Sequence, residues 1–80
     1  MKLILAYPTN VGTFYIGQSS DNRYHPIFNN EDLGSYTYLW AAVEDLAFDA
    51  TYSVLHPETN ELLDTSELGI PEDYTEWEKL

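Results

Sequence analysis

Acidic side chains are the most abundant ionisable groups in this sequence, with fourteen aspartates and glutamates in 80 residues. Eight of them lie in the last third of the chain: Glu58, Glu61, Asp64, Glu67, Glu72, Asp73, Glu76 and Glu78. Side chains three or four residues apart on a turn or short helix are about 5–6 Å apart, which is comparable to the spacing of charges along a nucleic-acid strand. The pattern predicts a surface that imitates a phosphate backbone. The alternative is a solvated face that only confers solubility.

The charge is unevenly distributed along the chain. Residues 41–80 hold eleven acidic residues and one lysine, whereas residues 1–40 hold three acidic residues, one lysine and one arginine. This balance excludes an ordinary nucleic-acid binder and polybasic adhesion to a membrane, because both need clustered cations. We expect the partner to be a protein with a basic surface, such as a nucleic-acid-binding protein, and we expect no direct contact with nucleic acid or membrane.

Residues suited to catalysis or metal binding are few. The chain has two histidines, His25 and His56, and no cysteine, so disulfides, thiolate chemistry and the usual zinc motifs are excluded. No Gly-x-Ser-x-Gly elbow and no phosphate-binding glycine loop occurs. We therefore expect no catalytic residue, no metal, no cofactor and no enzymatic activity. A hydrolase using His25 or His56 is the weakest alternative.

Tyrosine is the second most abundant ionisable side chain, with seven residues. A core this small cannot bury all of them with every hydroxyl satisfied, and tyrosine is enriched in recognition surfaces. Tyr15, Tyr24 and Tyr36 are expected on an exposed sheet face. This face supports the alternative function of a protein-interaction or accessory domain whose acidity is incidental. The two tryptophans and Phe48 are expected in the core.

Short strands are predicted in the first half of the chain. Leu3–Tyr7 is an apolar run ended by Pro8, and residues 13–16 are β-branched and aromatic between two glycines. Residues 23–28 read as an edge or bulged strand, since Pro26 cannot donate to a ladder. Residues 33–36 form the expected return strand of a hairpin.

One helix should follow, from about Tyr38 to Phe48. The spacing of Ala42, Val43 and Leu46 places them on one face, and Thr37 is the expected N-cap. Residues 51–56 resemble another strand.

The C-terminal third is predicted to form short helical turns. Asp64 and Glu67 match a capping box, and Pro71 suits a first helical position. Tyr74 and Trp77, three residues apart, are expected to face the core together.

These elements predict a single α+β domain spanning residues 1–80. It contains a small antiparallel sheet of three to five strands, one packed amphipathic helix and a C-terminal tail of short helical turns. The sequence shows no signal-peptide pattern and no apolar stretch long enough for a membrane span, so we expect a cytoplasmic protein.

Three motifs resemble a group of small bacterial proteins without assigned function. The chain has Leu-Gly-Ser-Tyr at residues 33–36, Asp-Leu-Ala at 45–47 three residues after Ala42, and Asp-Thr-Ser-Glu-Leu-Gly-Ile-Pro-Glu-Asp at 64–73. The similarity covers roughly residues 23–77, with a longer segment here at 50–63. It implies a fold and a bacterial or mobile-element source, and no chemistry. By analogy of type alone, the acidity and small size suggest a phage-encoded anti-CRISPR or anti-restriction inhibitor.

Overall fold

The computed structural model describes all 80 residues. Its main feature is a five-stranded antiparallel sheet that a helix covers on one face. In chain order the elements are β1 (Lys2–Thr9), β2 (Gly12–Gln18), β3 (Tyr24–Phe28), β4 (Glu31–Asp32), α1 (Leu39–Ala47), β5 (Val54–Leu55), β6 (Leu62–Leu63), 3₁₀ turns at Thr65–Glu67 and Tyr74–Glu76, and β7 (Glu78–Lys79). The sheet order is β4-β3-β2-β1-β7, and β5 and β6 form a separate hairpin. The predicted α+β fold class is confirmed. None of the helices has the length and apolarity needed to span a bilayer.

The first hairpin joins β1 to β2 through a tight turn at Asn10 and Val11. Its register pairs Tyr7 with Phe14, and a bulge lies between Leu3 and Leu5. The strand continues through Pro8, so the prediction that this proline ends it is wrong. On the other side of β1, β7 pairs only with residues 5 and 6. At Pro8 that side of β1 is therefore a free edge, where a residue without an N–H is tolerated.

The second hairpin contains a proline in a strand that has neighbours on both sides. Pro26 pairs with Ile16 of β2, while β4 covers only the end of β3. The turn consists of Asn29 and Asn30, which both adopt positive φ, 53° and 65°, as a type I′ turn requires. The return strand consequently begins at Glu31. Of the predicted return strand at 33–36, only an isolated bridge between Tyr36 and Tyr24 forms.

Helix α1 lies over the sheet within one residue of the predicted bounds. Ala42, Val43, Leu46 and Ala47 are buried, as the spacing predicts. The expected N-cap is wrong, since Tyr38 occupies that position without a side-chain cap. The hydroxyl of Thr37 instead accepts a hydrogen bond from Arg23 Nη1 at 3.3 Å. Packing of the apolar face therefore stabilises this nine-residue helix more than capping does.

The core lies between α1 and one face of the sheet. Phe14 and Phe28 stack with their ring centroids 4.2 Å apart, and both are buried with Ile16, Leu33 and Leu46. Trp77 is also buried, beside Tyr7, and donates from its indole nitrogen to the Pro71 carbonyl at 3.1 Å. The C-terminal tail thus supplies part of the core and the last strand of the sheet.

The tail is made of short 3₁₀ turns, as predicted, but their details differ. Asp64 accepts from the backbone N–H of Ser66, and the side chain of Glu67 does not complete a capping box. The second turn begins after Asp73 rather than at Pro71. Tyr74 is 40% exposed, so only Trp77 of that pair faces the core. The strand expected at 51–56 is reduced to β5.

Candidate protein-binding surface

The acidic segment, residues 58–78, carries the eight acidic residues predicted as a binding surface. All eight are exposed: Glu58, Glu61, Asp64, Glu67, Glu72, Asp73, Glu76 and Glu78. They lie on the β5–β6 loop, in or directly before the two 3₁₀ turns, and on β7, and both 3₁₀ turns contact α1. The tail therefore presents its carboxylates to solvent along one continuous stretch of chain.

Two of these eight carboxylates also hold the chain in place. Asp64 accepts from the N–H of Ser66 at 3.0 Å, and Asp73 accepts from the N–H and the hydroxyl of Thr75 at 2.9 and 2.7 Å. The Thr75 hydroxyl is the main cause of a pKa of Asp73 below its usual value. Both residues have a structural role whatever they bind, so experiments on the surface charge should leave them intact.

The three cations do not neutralise the acidic residues. The structure contains one close contact of a histidine with a carboxylate, between His25 and Asp32, and no carboxylate contact from lysine or arginine. Arg23 is held by neutral groups instead, donating to the Ser35 hydroxyl and carbonyl at 2.5 and 3.1 Å. A net charge of −11 is consequently expressed almost entirely at the surface.

The three tyrosines predicted to share a sheet face do not lie together. Tyr15 is on the face opposite α1, whereas Tyr24 and Tyr36 pack against the core on the helix side. Side chains alternate along a strand, and Tyr15 pairs with Ile27, three positions from Tyr24. Burial, with the nearby Asp45 carboxylate as the second cause, raises the pKa of Tyr36 to about 12. The predicted tyrosine surface is therefore wrong as a single surface.

Exposed aromatic side chains occur instead on the outer side of α1. Tyr38 and Trp40 stack with ring centroids 5.8 Å apart, and they are 59% and 53% exposed. Phe48, two turns beyond Trp40, is 59% exposed. The expectation that Trp40 and Phe48 are core residues is wrong, because the narrow face formed by residues 42, 43, 46 and 47 already fills the space over the sheet. The spacing of four between Trp40, Glu44 and Phe48 could have identified this second face.

Sequence reasoning also missed a polar cluster at the second hairpin. His25 Nε2 lies 3.2 Å from Ser19 Oγ, and His25 Nδ1 lies 2.9 Å from Asp32 Oδ2. The register that pairs Gly17 with His25 predicts that Ser19 and His25 are close. The arrangement resembles a serine–histidine–carboxylate triad, so its geometry decides whether a nucleophile is present.

The cluster lacks the geometry of an activated serine. The Ser19 hydroxyl is already bonded to the Asp21 carboxylate and to the Arg23 carbonyl, and it lowers the pKa of Asp21. The contact between His25 Nδ1 and Asp32 is close but does not satisfy hydrogen-bond geometry. These contacts favour a structural role, in which the cluster ties the turn at 19–22 to the edge strand β4. The hydrolase alternative stays a prediction.

The second histidine is part of a loop. His56 Nδ1 accepts from the N–H groups of Glu58 and Thr59 at 3.1 and 3.4 Å, which shapes the β5–β6 loop. No three histidine, aspartate or glutamate side chains lie close enough together to hold a metal ion.

The sheet face opposite α1 carries a shallow apolar groove of about 830 Å³. Met1, Leu3, Tyr15 and Ile27 line it, with Pro57 contributed by the β5–β6 loop. No charged side chain borders the groove, in contrast to the rest of this acidic molecule. Of the three predicted tyrosines, Tyr15 alone belongs to this face.

Comparison with known proteins adds no further assignment. No protein-family model, curated protein or solved structure matches the chain. The likeness to small bacterial proteins, based on residues 33–36, 42–47 and 64–73, stays a prediction.

Proposed function

We propose that this protein is a non-catalytic acidic binding protein that occupies a basic, nucleic-acid-binding surface of a partner protein. The observation that carries the proposal is the set of fourteen carboxylates without one lysine or arginine ion pair. Uncompensated charge of one sign destabilises the folded state through self-repulsion, and it speeds encounter with a surface of opposite sign. A bacterial or phage inhibitor of nucleic-acid machinery, of the anti-CRISPR or anti-restriction type, acting in the cytoplasm, fits these properties.

The acidic segment is the proposed contact region. Its eight acidic residues are exposed, and the segment is anchored through Thr65, Ile70 and Trp77, which are buried. An anchored backbone keeps the carboxylates in a defined arrangement, so the segment loses less conformational freedom on binding a basic partner than a disordered tail would.

Affinity capture followed by salt titration tests the proposal. The captured partner should bind nucleic acid, DNA or RNA should compete for it, and affinity should fall steeply between about 50 and about 200 mM salt. A partner whose affinity changes neither with competitor nucleic acid nor with salt would rule out the phosphate-mimic mechanism.

A matched pair of variants separates surface charge from folding. Glutamine at Glu58, Glu61, Glu67, Glu72, Glu76 and Glu78 removes six charges and leaves the capping residues Asp64 and Asp73 in place. We expect this variant to fold normally and to lose the partner. Glu31→Gln, on β4 outside the segment, is the control and should bind as the unmodified protein does.

The uncharged groove favours a second candidate, a protein-interaction or accessory domain whose acidity only confers solubility. Exposed Met1 and Leu3 beside Tyr15 give the sheet face an apolar contact area. Under this alternative, Tyr15→Ser should abolish partner binding and the six-glutamine variant should retain it.

A further inference from the structure

We infer that the exposed aromatic side chains of α1 form the anchor for arginine residues of the basic partner. The inference rests on the proposed function and names the contact that would give it specificity. The aromatic ridge is defined as Tyr38, Trp40 and Phe48, with Glu44 between the last two. It belongs to no feature that the fold itself requires, because the core face of the helix is complete without it.

The first support is the exposure of three large aromatic side chains in one row. Trp40, Glu44 and Phe48 are spaced by four residues, so they follow one line along the outside of the helix. All are exposed, and Tyr38 extends the row by stacking on Trp40. Aromatic side chains grouped on a surface with this much exposed area are typical of contact sites.

The second support is charge complementarity. Residues 24–78 contain thirteen acidic residues and no lysine or arginine, and α1 itself contains no basic residue. Glu44 has no ion-pair partner within the chain. An apolar partner would leave this carboxylate unpaired in the interface, at a cost in desolvation. A basic partner would pair it.

The two supports together select arginine over lysine. The Cβ atoms of Trp40 and Glu44, four residues apart, are about 5–6 Å from each other. A guanidinium stacked within about 6 Å of the indole ring can therefore also reach the carboxylate. Arginine stacks on aromatic faces and donates in a planar fork, whereas lysine presents a compact and strongly hydrated charge.

Fluorescence anisotropy with two labelled peptides tests the inference. The peptides alternate serine with either arginine or lysine and are otherwise identical, and binding is measured at about 50 mM salt, where surface charges are weakly screened. We expect the arginine peptide to bind more tightly. Trp40→Leu should lower the affinity for that peptide about tenfold. Trp40→Tyr, which keeps an aromatic face, should retain most of the affinity. Glu44→Gln should weaken it about threefold.

Tyr52→Leu is the matched control. Tyr52 is also an exposed aromatic residue, but it lies between α1 and β5, outside both the ridge and the acidic segment. This variant should bind the arginine peptide as the unmodified protein does. The exposure of Trp40 means that its variants should keep the melting temperature, which checks that lost binding is not lost folding.

The other outcomes overturn the inference in distinguishable ways. If Trp40→Leu binds normally and the six-glutamine variant of the acidic segment does not, the ridge is wrong and the proposed function stands. If neither peptide binds, the inference about the ridge and the proposed function are both contradicted. If sedimentation shows a dimer that Trp40→Leu dissociates, the ridge contacts a second copy of this chain instead.

Discussion

Replacing Thr65 with valine would remove one hydroxyl while keeping the shape of the side chain. Thr65 is fully buried at the start of the first 3₁₀ turn. Its hydroxyl donates to the carbonyl of Leu46 in the last turn of α1 at 2.5 Å, and its backbone N–H donates to Asp49 Oδ1 at 3.2 Å. These bonds connect the acidic segment to the helix, so the substitution tests how firmly the segment is attached.

The expected cost follows from what each partner retains. The Leu46 carbonyl keeps only a longer bond, from the N–H of Asp49 at 3.3 Å, and Asp49 keeps its bond to the Thr65 backbone. The buried bond to the Leu46 carbonyl is lost, together with the longer contact of the hydroxyl with Asp49 Oδ1 at 3.3 Å, and the Leu46 carbonyl is left only partly satisfied. We expect a loss of about 1–2 kcal/mol in unfolding free energy, or a Tm lower by about 5–15 °C in a domain of this size.

Urea denaturation followed by far-UV circular dichroism measures this loss. Thr59→Val is the control, because Thr59 is exposed in the β5–β6 loop and its hydroxyl accepts only from the N–H of Glu61, at 3.3 Å. The control should change stability by less than about 0.5 kcal/mol. A Thr65→Val protein within the same limit, with an unchanged m-value, would refute the argument that this hydroxyl attaches the tail.

Three further predictions concern stability. Leu46→Ala should lower the unfolding free energy by about 2–4 kcal/mol, since the side chain is fully buried under α1; a loss below about 1 kcal/mol in a denaturant titration would contradict the packing. Asp64→Ala should cost about 1 kcal/mol through loss of the bond from the Ser66 N–H, and Asp64→Asn, which keeps an acceptor oxygen, should recover most of it. The pKa of Tyr36 is raised to about 12 in the folded protein, so folding favours the neutral phenol over the phenolate. The contribution of this residue to the free energy of unfolding should be complete below pH 10 and be lost as the pH rises to about 12. The stability difference between the unmodified protein and Tyr36→Phe should then shrink only in that interval, and a constant difference would contradict the assigned cause.

Local sequence signals predicted the elements of this fold well where each signal had one physical cause. Apolar spacing placed α1 and its buried face within one residue, because side chains three and four residues apart lie on the same face of a helix. The cap at Asp64 was predicted, with its acceptor oxygen on a different N–H from the one expected.

Predictions from the sequence failed where the outcome depended on which other segment of the chain packs against a residue. Pro8 continues a strand because β7 is too short to reach it. Trp40 and Phe48 are as apolar as the core residues, yet the helix has one sheet to cover and they lie on its other side. Hydrophobicity indicates that a side chain gains by burial, and it does not say whether a partner surface is present.

For the candidate surface, the sequence by itself determined the charge and its concentration in the second half of the chain. The net charge and its distribution along the chain are sums over residue types, so they do not depend on the fold. Only the tertiary structure decided that no carboxylate pairs with a lysine or arginine, that Tyr15 is separated from Tyr24 and Tyr36, and that Tyr38, Trp40 and Phe48 are exposed along α1. Ion pairing, the sheet face on which a side chain lies and its exposure to solvent all depend on segments that are distant in the sequence. Strand register and the packing of one helix on one sheet determine these three properties.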